Sequence, residues 1–375
     1  MWSHQALKRI DFRIFPLLIA LMIISLLVIS SATYASLEGE ADVFFTPLVK
    51  TQLQWFGVGW IVFFFFSGLD YHKLREWTWF LYIGIILLLI GVFFTPSIHN
   101  VHRWYRLFGF NFQPSEYAKL IVIITLSWFL EYKGARIRNR GTSFQALLIV
   151  LIPFILILKE PDLDTALVLY PISIVMLYFG GIKKRVIFFM TSLALIGLVF
   201  VSMMFLGAIS HDALRPYFTK FMKEYQYERL NPDTYHQKAA QTAIALGGLK
   251  GTGWHKSEFT GRQWLPAAHT DSIFPAFAEE FGLIGVILLL GIFFGLIYFG
   301  FQVTAVARDR FGRLLSAGIT VYLAVQILLN LGMMTGFLPI TGVPLILVSY
   351  GGSSVLATMN ALGILQSIYS RRYIF

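Results

Sequence analysis

The chain of 375 residues contains no cysteine, and only 13% of its residues are charged. The first absence excludes disulfide bonds, thiolate metal sites and cysteine nucleophiles. The second argues against an ordinary soluble globular protein, in which about a quarter of the residues carry charge. Tandem repeats, low-complexity tracts and linkers between soluble domains are also missing from the sequence. We therefore expect a single integral membrane domain spanning residues 1–375.

Apolar residues make up 57% of the chain and are grouped in long runs. A helix rises 1.5 Å per residue and needs about 20 residues to cross roughly 30 Å of hydrocarbon. Windows of that length predict an all-α polytopic membrane protein with about ten transmembrane helices. The fifth and sixth are short and could instead form one re-entrant pair. The spans lie near residues 14–35, 52–69, 77–96, 115–132, 143–158, 165–182, 186–208, 275–303, 314–336 and 350–369.

Basic residues occupy every second connection between these spans. A net charge of +10 is typical of many nucleic-acid-binding proteins, but residues placed between apolar spans favour membrane orientation instead, and we expect no nucleic acid partner. Lysine and arginine are retained on the cytoplasmic side, so both termini are predicted to be cytoplasmic. The segment 209–274, between the seventh and eighth spans, is then a long extracytoplasmic loop. The basic connections lie within residues 8–13, 73–75, 133–140, 183–185, 308–313 and 371–372.

The loop 209–274 has the pattern of amphipathic helices. Thr234 and Gln237 fit a capping box at the start of a second helix that runs to Gly247 and Gly248. The following glycines, in GGLKGTGW, lack the GxxxxGK[ST] spacing of a phosphate loop. They predict either a plain turn or a nest of backbone amides for a lipid pyrophosphate. The first helix, which we expect to lie in the membrane interface, has apolar residues at helical spacing: Leu214, Phe218, Phe221, Met222 and Tyr225.

Ionisable residues inside or at the edge of spans are the candidate functional groups, because a charge at the bilayer centre costs about 2.5–3.5 kcal/mol. Glu116 and Lys119 share one helical face of the fourth span. They predict either a functional pair or an ion pair at a helix end. The second group is EPDLD, from Glu160 to Asp164, where the carboxylates could be functional or simply solvated turn residues.

A third group opens the eighth span in WLPAAHTDSIFP. Pro275 falls in the first helical turn, which makes Asp271 or a neighbour the N-cap. Capping leaves His269, Glu279 and Glu280 unexplained, and two glutamates about two turns deeper need partners. Further along, residues 330–354 combine glycine and proline within an apolar run, a pattern typical of broken helices around a cavity in transporters and in enzymes of lipid-linked substrates.

Together these motifs resemble the SEDS family (shape, elongation, division and sporulation). The resemblance extends from about residue 103 to residue 368 and rests on several motifs in one order. It implies a glycosyltransferase of the bacterial cytoplasmic membrane that polymerises lipid II into peptidoglycan strands. The short tails favour the elongation branch over the division branch. The motifs are QPSEYAK, EPDLDTA, YQYERL, IALGGLKGTGW, LPAAHTDSIFPAFAEEFG and GFLPITGVPLILVSYGGSS.

The resemblance also implies roles for individual residues. Asp271 is the essential aspartate and the expected catalytic general base, and the functional pair is Glu116 with Lys119. Further substrate contacts are expected from Arg103, Asp162 and His269. A divalent cation, Mg²⁺ or Mn²⁺, is an expected cofactor whose ligands the sequence does not identify. The expected partners are lipid II, the membrane itself and a class B penicillin-binding transpeptidase.

Several positions depart from the family pattern. Ala267 replaces a usual glutamate, Ser272 a phenylalanine and Asp164 a glycine, while Ala239-Ala240 replaces Gln-Ser. These changes predict altered loop contacts around an unchanged Asp271.

The chemistry of strand growth favours a single base at this site. The 4-hydroxyl of the acceptor attacks C1 of a donor whose leaving group is a lipid pyrophosphate, and a carboxylate takes the hydroxyl proton. Lys119 and Arg103 are candidates for stabilising the departing charge. Two other classes stay open: a flippase for lipid-linked precursors or other transporter, for which an internal inverted repeat is missing, and a scaffold, in which Asp271 would be dispensable.

Overall fold

Ten long helices account for the ten predicted spans. The computed structural model describes residues 2–34, 44–96, 102–107, 110–205, 207–220, 227–228, 230–231 and 234–373. Together with two helices of the outer loop, they are numbered α1 to α12. They are α1 (Ile14–Tyr34), α2 (Pro47–Gly68), α3 (Thr78–Gly91), α4 (Pro114–Lys133), α5 (Arg140–Lys159), α6 (Leu163–Gly180), α7 (Lys184–Phe205), α8 (His211–Phe218), α9 (Tyr235–Gly247), α10 (Ile273–Val306), α11 (Arg310–Met334) and α12 (Gly352–Ser370).

The remaining elements are short. Helical turns lie at His4–Leu7, His72–Glu76 and Glu258–Gly261, and 3-10 turns at Val92–Phe94 and Gly134–Arg138. Strands β1 (Tyr105–Leu107) and β2 (Phe110–Phe112) form an antiparallel hairpin before α4. The all-α prediction is therefore right for the membrane part and missed this hairpin, because strands of three residues are too short to show an alternating pattern.

Seven helices in the described residues are long and apolar enough to cross a membrane: α1, α2, α5, α6, α7, α10 and α11. The fifth and sixth spans are separate helices of 20 and 18 residues, so the re-entrant alternative is not needed. Helix α3 is shorter, and α4 carries Glu116 and Lys119 within its length. Both of those side chains are buried, which identifies α4 as an interior helix rather than a lipid-facing one.

Local sequence determines where several helices begin. Thr46 caps α2, with its hydroxyl accepting from the Val49 amide and Pro47 in the first turn. Thr234 caps α9 by accepting from the Gln237 amide at 3.3 Å. The Gln237 side chain does not complete the predicted capping box, because it donates instead to the Met333 carbonyl at 2.7 Å. This bond ties α9 to the end of α11.

The helices form a bundle with a buried centre and a lipid-facing edge. Helix α2 packs along α12, α10 packs on α11 and α9, and α4 contacts α3, α6 and α11. Helix α7 packs against α6 at the edge of the bundle, and only 6% of the residues in its most apolar stretch are buried. In the outer loop, the predicted interfacial helix corresponds to α8 in its first half, while residues 221–226 lie outside the described residues.

Helix α10 is broken at Gly282, and the glycine-rich segment 247–253 fills the break. Gly282 has φ +62°, a left-handed conformation that favours glycine. The Glu279 and Glu280 carbonyls accept from the amides of Thr252 and Gly253 at 2.9 and 3.0 Å.

The exchange is completed on the other side of the break. The amides of Leu283 and Ile284 donate to the carbonyls of Gly248 and Leu249 at 2.9 and 3.2 Å. A Cβ on Gly251 would lie 2.0 Å from the Glu280 carbonyl oxygen, so the two segments touch backbone to backbone. GGLKGTGW is thus a clasp on α10, and the amides of Thr252 and Gly253 are already used within the protein.

Candidate active site

The segment before α10 is positioned by hydrogen bonds to its backbone. The His269 carbonyl accepts from the Tyr350 amide at 2.9 Å, and the Thr270 carbonyl accepts from the Ser349 hydroxyl at 2.6 Å. The Asp271 carbonyl accepts from the Asn330 side chain at 3.0 Å. Because these contacts use main-chain atoms, they fix the location of the Asp271 side chain through its own backbone.

Two carboxylates converge at Gly342. A Cβ at this position would lie 2.9 Å from Asp164 Oδ2 and 3.3 Å from Asp271 Oδ2. Gly342 has φ +105°, so glycine is favoured by conformation as well as by space. The Asn330 side chain also donates to the Val343 carbonyl at 2.7 Å, which holds this backbone beside Asp271. The departure from the family pattern at position 164 therefore adds a second carboxylate next to the predicted base.

Arg103 brings a cation to the same place. One guanidinium nitrogen lies 3.9 Å from Asp164 Oδ2. A second nitrogen donates to the Glu160 carbonyl at 3.2 Å, and the third nitrogen donates to the Pro161 carbonyl. The side chain is buried. The two backbone bonds fix the fork of the guanidinium beside the acidic motif 160–164, and the contact of Arg103 with substrate stays a prediction.

Glu116 and Lys119 form a buried ion pair in α4. Lys119 Nζ lies 2.8 Å from Glu116 Oε1 and 3.3 Å from Gln326 Oε1. It also lies 5.1 Å from the ring centre of Tyr322. The Gln326 amide donates to the Pro344 carbonyl at 3.2 Å, two residues after Gly342. Lys119 is thus linked through one side chain to the backbone where Asp164 and Asp271 meet.

Asp162 has its hydrogen-bonding capacity used by the protein. Oδ2 accepts from Gln113 at 2.9 Å, from Ser115 at 2.7 Å and from the Thr165 hydroxyl at 3.1 Å. Oδ1 caps α6 through the Thr165 amide at 3.2 Å. This fully buried carboxylate joins the first turns of α4 and α6. The geometry gives Asp162 a positioning role, and its contact with substrate stays a prediction.

One histidine lies within the segment 265–272 and a second contacts it. The His269 ring packs edge-on against Tyr350, with ring centres 6.0 Å apart, and its contact with substrate also stays a prediction. His236 of α9 lies 2.6 Å from the Ser272 hydroxyl through Nε2. Burial lowers the pKa of both His236 and His269, so both rings are neutral at pH 7. His236 was not among the predicted site residues, although its partner Ser272 is a departure from the family pattern.

Glu279 and Glu280 have structural partners. The Glu279 carboxylate accepts from the amides of Phe259 and Thr260 at 2.8 and 3.1 Å and from the Thr260 hydroxyl at 2.7 Å. The Glu280 carboxylate accepts from the hydroxyls of Ser31 and Ser257. The two glutamates therefore hold the outer loop and α1 onto the first half of α10.

Glu160 is different, because both of its carboxylate oxygens are buried without a hydrogen-bond partner among the described residues. Burial raises the pKa of Glu160 to about 9, the nearby Asp162 carboxylate raises it further, and Arg103 partly offsets both effects. The side chain lies between α5 and α6 and is neutral at pH 7.

The described residues contain no group of three or more histidine, aspartate or glutamate side chains suited to a metal ion. Asp164 and Asp271 form a pair only. Such a pair fits Mg²⁺ or Mn²⁺ where substrate phosphates supply the remaining ligands. It does not fit a metal held by protein alone.

Comparison with known proteins identifies the family. A family model described as "Cell cycle protein", covering FtsW, RodA and SpoVE, matches residues 12–374. The peptidoglycan glycosyltransferase MrdB of Escherichia coli is 31% identical over 364 residues, covering 94% of this chain and 92% of the relative. A probable peptidoglycan glycosyltransferase FtsW of Geobacter metallireducens is 35% identical over 313 residues, covering 81% and 80%.

Solved structures agree with this assignment. The rod shape determining protein RodA of Thermus thermophilus superposes with a TM-score of 0.70 at 26% identity, covering 98% of each chain. A chain from a structure described as "Structural coordination of polymerization and crosslinking by a peptidoglycan synthase complex" gives a TM-score of 0.76 at 27% identity, covering 98% and 99%. The protein belongs to the FtsW/RodA/SpoVE family, the SEDS family that its motifs resemble.

Proposed function

We propose that this protein is a peptidoglycan glycosyltransferase that polymerises lipid II into glycan strands during cell-wall elongation. The observation that carries the proposal is the half-buried Asp271 carboxylate, positioned through its own backbone beside Asp164 and Gly342. Relatives named as peptidoglycan glycosyltransferases match over nearly the whole chain, which supports the reaction class.

Asp271 is the general base in this proposal. Its carboxylate accepts the proton of the acceptor 4-hydroxyl as that oxygen attacks C1 of the donor sugar, with inversion from an α to a β linkage. Proton transfer of this kind contributes typically about 10²- to 10⁴-fold to the rate. The leaving pyrophosphate needs no proton, so one carboxylate base is sufficient.

The buried cations stabilise the departing charge. Arg103, whose guanidinium is held by two backbone carbonyls, faces the carboxylates and can bind one phosphate. Lys119 lies deeper, where Glu116 and Gln326 hold its ammonium. We assign Lys119 to the electrostatic field of the site and Glu116 to the orientation of Lys119.

A divalent cation, Mg²⁺ or Mn²⁺, would be held by Asp164 and Asp271 together with the pyrophosphate oxygens. When bound, such an ion neutralises phosphate charge as a Lewis acid.

The proposed location is the bacterial cytoplasmic membrane, with both termini cytoplasmic and the site at the outer end of the bundle. Basic connections at the opposite helix ends support this orientation. A class B penicillin-binding transpeptidase is the proposed partner, since one structural neighbour comes from a complex described as coordinating polymerisation with crosslinking.

The test is polymerisation by purified protein in complex with its transpeptidase, supplied with lipid II and Mg²⁺ or Mn²⁺. Glycan polymer on a gel from the parent, and none from Asp271→Asn, is the expected result. Translocation of lipid II across vesicles by both proteins, without polymer from either, would replace the proposal with the flippase alternative.

A further inference from the structure

A cavity of about 390 Å³ opens on the bundle surface between α3, α4 and α5. It lies outside the site described above. Its walls are mostly apolar and strongly aromatic. The lining residues are Trp79, Tyr82, Trp128, Phe129, Tyr132, Lys133, Gln145, Leu148, Ile149 and Ile152.

The cavity lies at the basic end of the bundle. Trp79 is in the first turn of α3, Lys133 is the last residue of α4, and Gln145 is near the start of α5. These helix ends adjoin the basic connections 73–75 and 133–140. Tryptophan and tyrosine concentrate at the level of lipid headgroups. The cavity therefore spans the boundary between headgroups and acyl chains.

The aromatic residues form a preorganised wall. Trp79 packs edge-on against Trp128 with ring centres 5.5 Å apart, and Trp128 stacks on Tyr132 at 5.3 Å. The Tyr82 hydroxyl donates to the Ile149 carbonyl at 3.0 Å and closes the inner end. Leu148 and Ile152, one turn apart on α5, are exposed and offer an apolar track toward the membrane interior.

The positive charge at the mouth is not neutralised by any carboxylate that the structure describes. Among the described residues, Lys133 has no carboxylate partner, and its ammonium lies 5.6 Å from the Phe129 ring centre and 5.7 Å from that of Tyr132. The nearby basic residues of the previous connection are paired, Lys73 with Glu76 and Arg75 with Glu131.

The two arginines that follow Lys133 are exposed as well. Arg136 and Arg138 have no carboxylate partner among the residues that the structure describes. Three cations within six residues thus border an apolar cavity at headgroup level, where each is worth about 1 kcal/mol toward an anionic surface.

We propose that this cavity binds one anionic phospholipid from the surrounding bilayer. An acyl chain occupies the track along Leu148 and Ile152, and the phosphate lies at the mouth beside Lys133. The Trp79 indole and the Gln145 amide, which are not hydrogen-bonded to another described residue, donate to the headgroup oxygens. A transmembrane segment of a partner protein is disfavoured, because an apolar helix would leave the Lys133 ammonium unpaired.

Lipid binding is tested by native mass spectrometry of the full-length protein in detergent, titrated with phosphatidylglycerol or with phosphatidylcholine of the same acyl chains. The expected result is one retained phosphatidylglycerol, bound at least fivefold more tightly than phosphatidylcholine. Equal retention of the two lipids overturns the proposal without any variant, since it indicates nonselective contact.

Two substitutions locate the site. Lys133→Gln is expected to weaken phosphatidylglycerol binding about fivefold, while Lys184→Gln, at the same end of the bundle on α7, leaves it unchanged. Leu148→Trp fills the track and is expected to displace both lipids, unlike Ile196→Trp on the exposed face of α7. Thermal melting of each variant checks its folding. Unaltered binding in well-folded Lys133→Gln and Leu148→Trp would place the lipid elsewhere.

Discussion

Asp271 and Glu279 lie eight residues apart, yet they are held in different ways: Glu279 through its carboxylate, and Asp271 through its backbone. Glu279 accepts three hydrogen bonds from residues 259 and 260. The Asp271 segment is held through main-chain carbonyls, which leaves its half-buried carboxylate beside Asp164 at Gly342. Glu279 therefore maintains structure, whereas the Asp271 carboxylate is placed beside a second carboxylate by its own backbone.

Replacing Asp271 is expected to cause the largest loss of activity without a loss of stability. Asp271→Asn should lower polymerisation about 10²- to 10⁴-fold, because an amide cannot accept the hydroxyl proton. Its melting temperature should match that of the parent. The matched control is Glu258→Gln, an exposed carboxylate paired with Arg262, which should retain full activity. Substantial polymer from Asp271→Asn would remove Asp271 from the mechanism.

Lys119→Met should destabilise the protein by about 3–5 kcal/mol, because Glu116 would be left as a buried, uncompensated charge. Chemical denaturation in detergent measures this loss. Adding Glu116→Gln should restore most of the stability but not the activity, if the ammonium stabilises the leaving group. A fully active double variant would assign the ion pair to folding alone.

Glu279→Ala should reverse the behaviour of Asp271→Asn. Removing the acceptor leaves the amides of residues 259 and 260 unpaired, at a cost of about 3 kcal/mol. The melting temperature should fall clearly, while the folded fraction polymerises lipid II at near the parental rate. A variant as stable as the parent would contradict the structural role of Glu279.

Gly342→Ala should lower the rate of polymerisation. The added Cβ meets Asp164 and Asp271, and displacing reactive groups by about 1 Å can cost roughly 10²-fold in rate. Gly84→Ala on α3, where the structure leaves open space around the new Cβ, is the matched control. Equal activities of the two variants would show that the carboxylates do not act at Gly342.

Glu160 gives the stability of the protein a pH dependence. Its pKa is about 9 in the folded protein against an ordinary value of 4.5, so the folded state retains a proton that the unfolded state releases. Stability from this group is full below pH 4.5 and is lost as the pH rises toward 9. The parent should lose melting temperature between about pH 5 and pH 8, while Glu160→Gln should change less. Parallel profiles would mean that Glu160 is ionised when folded.

Hydropathy predicted the ten long helices within a few residues, because each span must satisfy its own backbone in lipid. The break at Gly282 was not predictable, since the donors and acceptors that replace the missing helical bonds lie about 30 residues upstream, in residues 248–253. The glycine pattern indicated only a turn or a nest of backbone amides. Side-chain convergence was equally hidden: Asp164 was noticed as a departure, but its approach to Asp271 depends on how α6 packs beside the segment 341–350.

The segment that closes the break at Gly282 lies in a connection between helices, but its backbone is part of α10's hydrogen bonding. In an uninterrupted α10 the amides of Leu283 and Ile284 would donate to the carbonyls of Glu279 and Glu280. Those two bonds are replaced by four main-chain bonds to residues 248–253. This stretch outside the membrane supplies the donors and acceptors that a helical turn of α10 would otherwise supply. An inserted or deleted residue there should be as damaging as cutting α10 itself, although surface connections normally accept such changes.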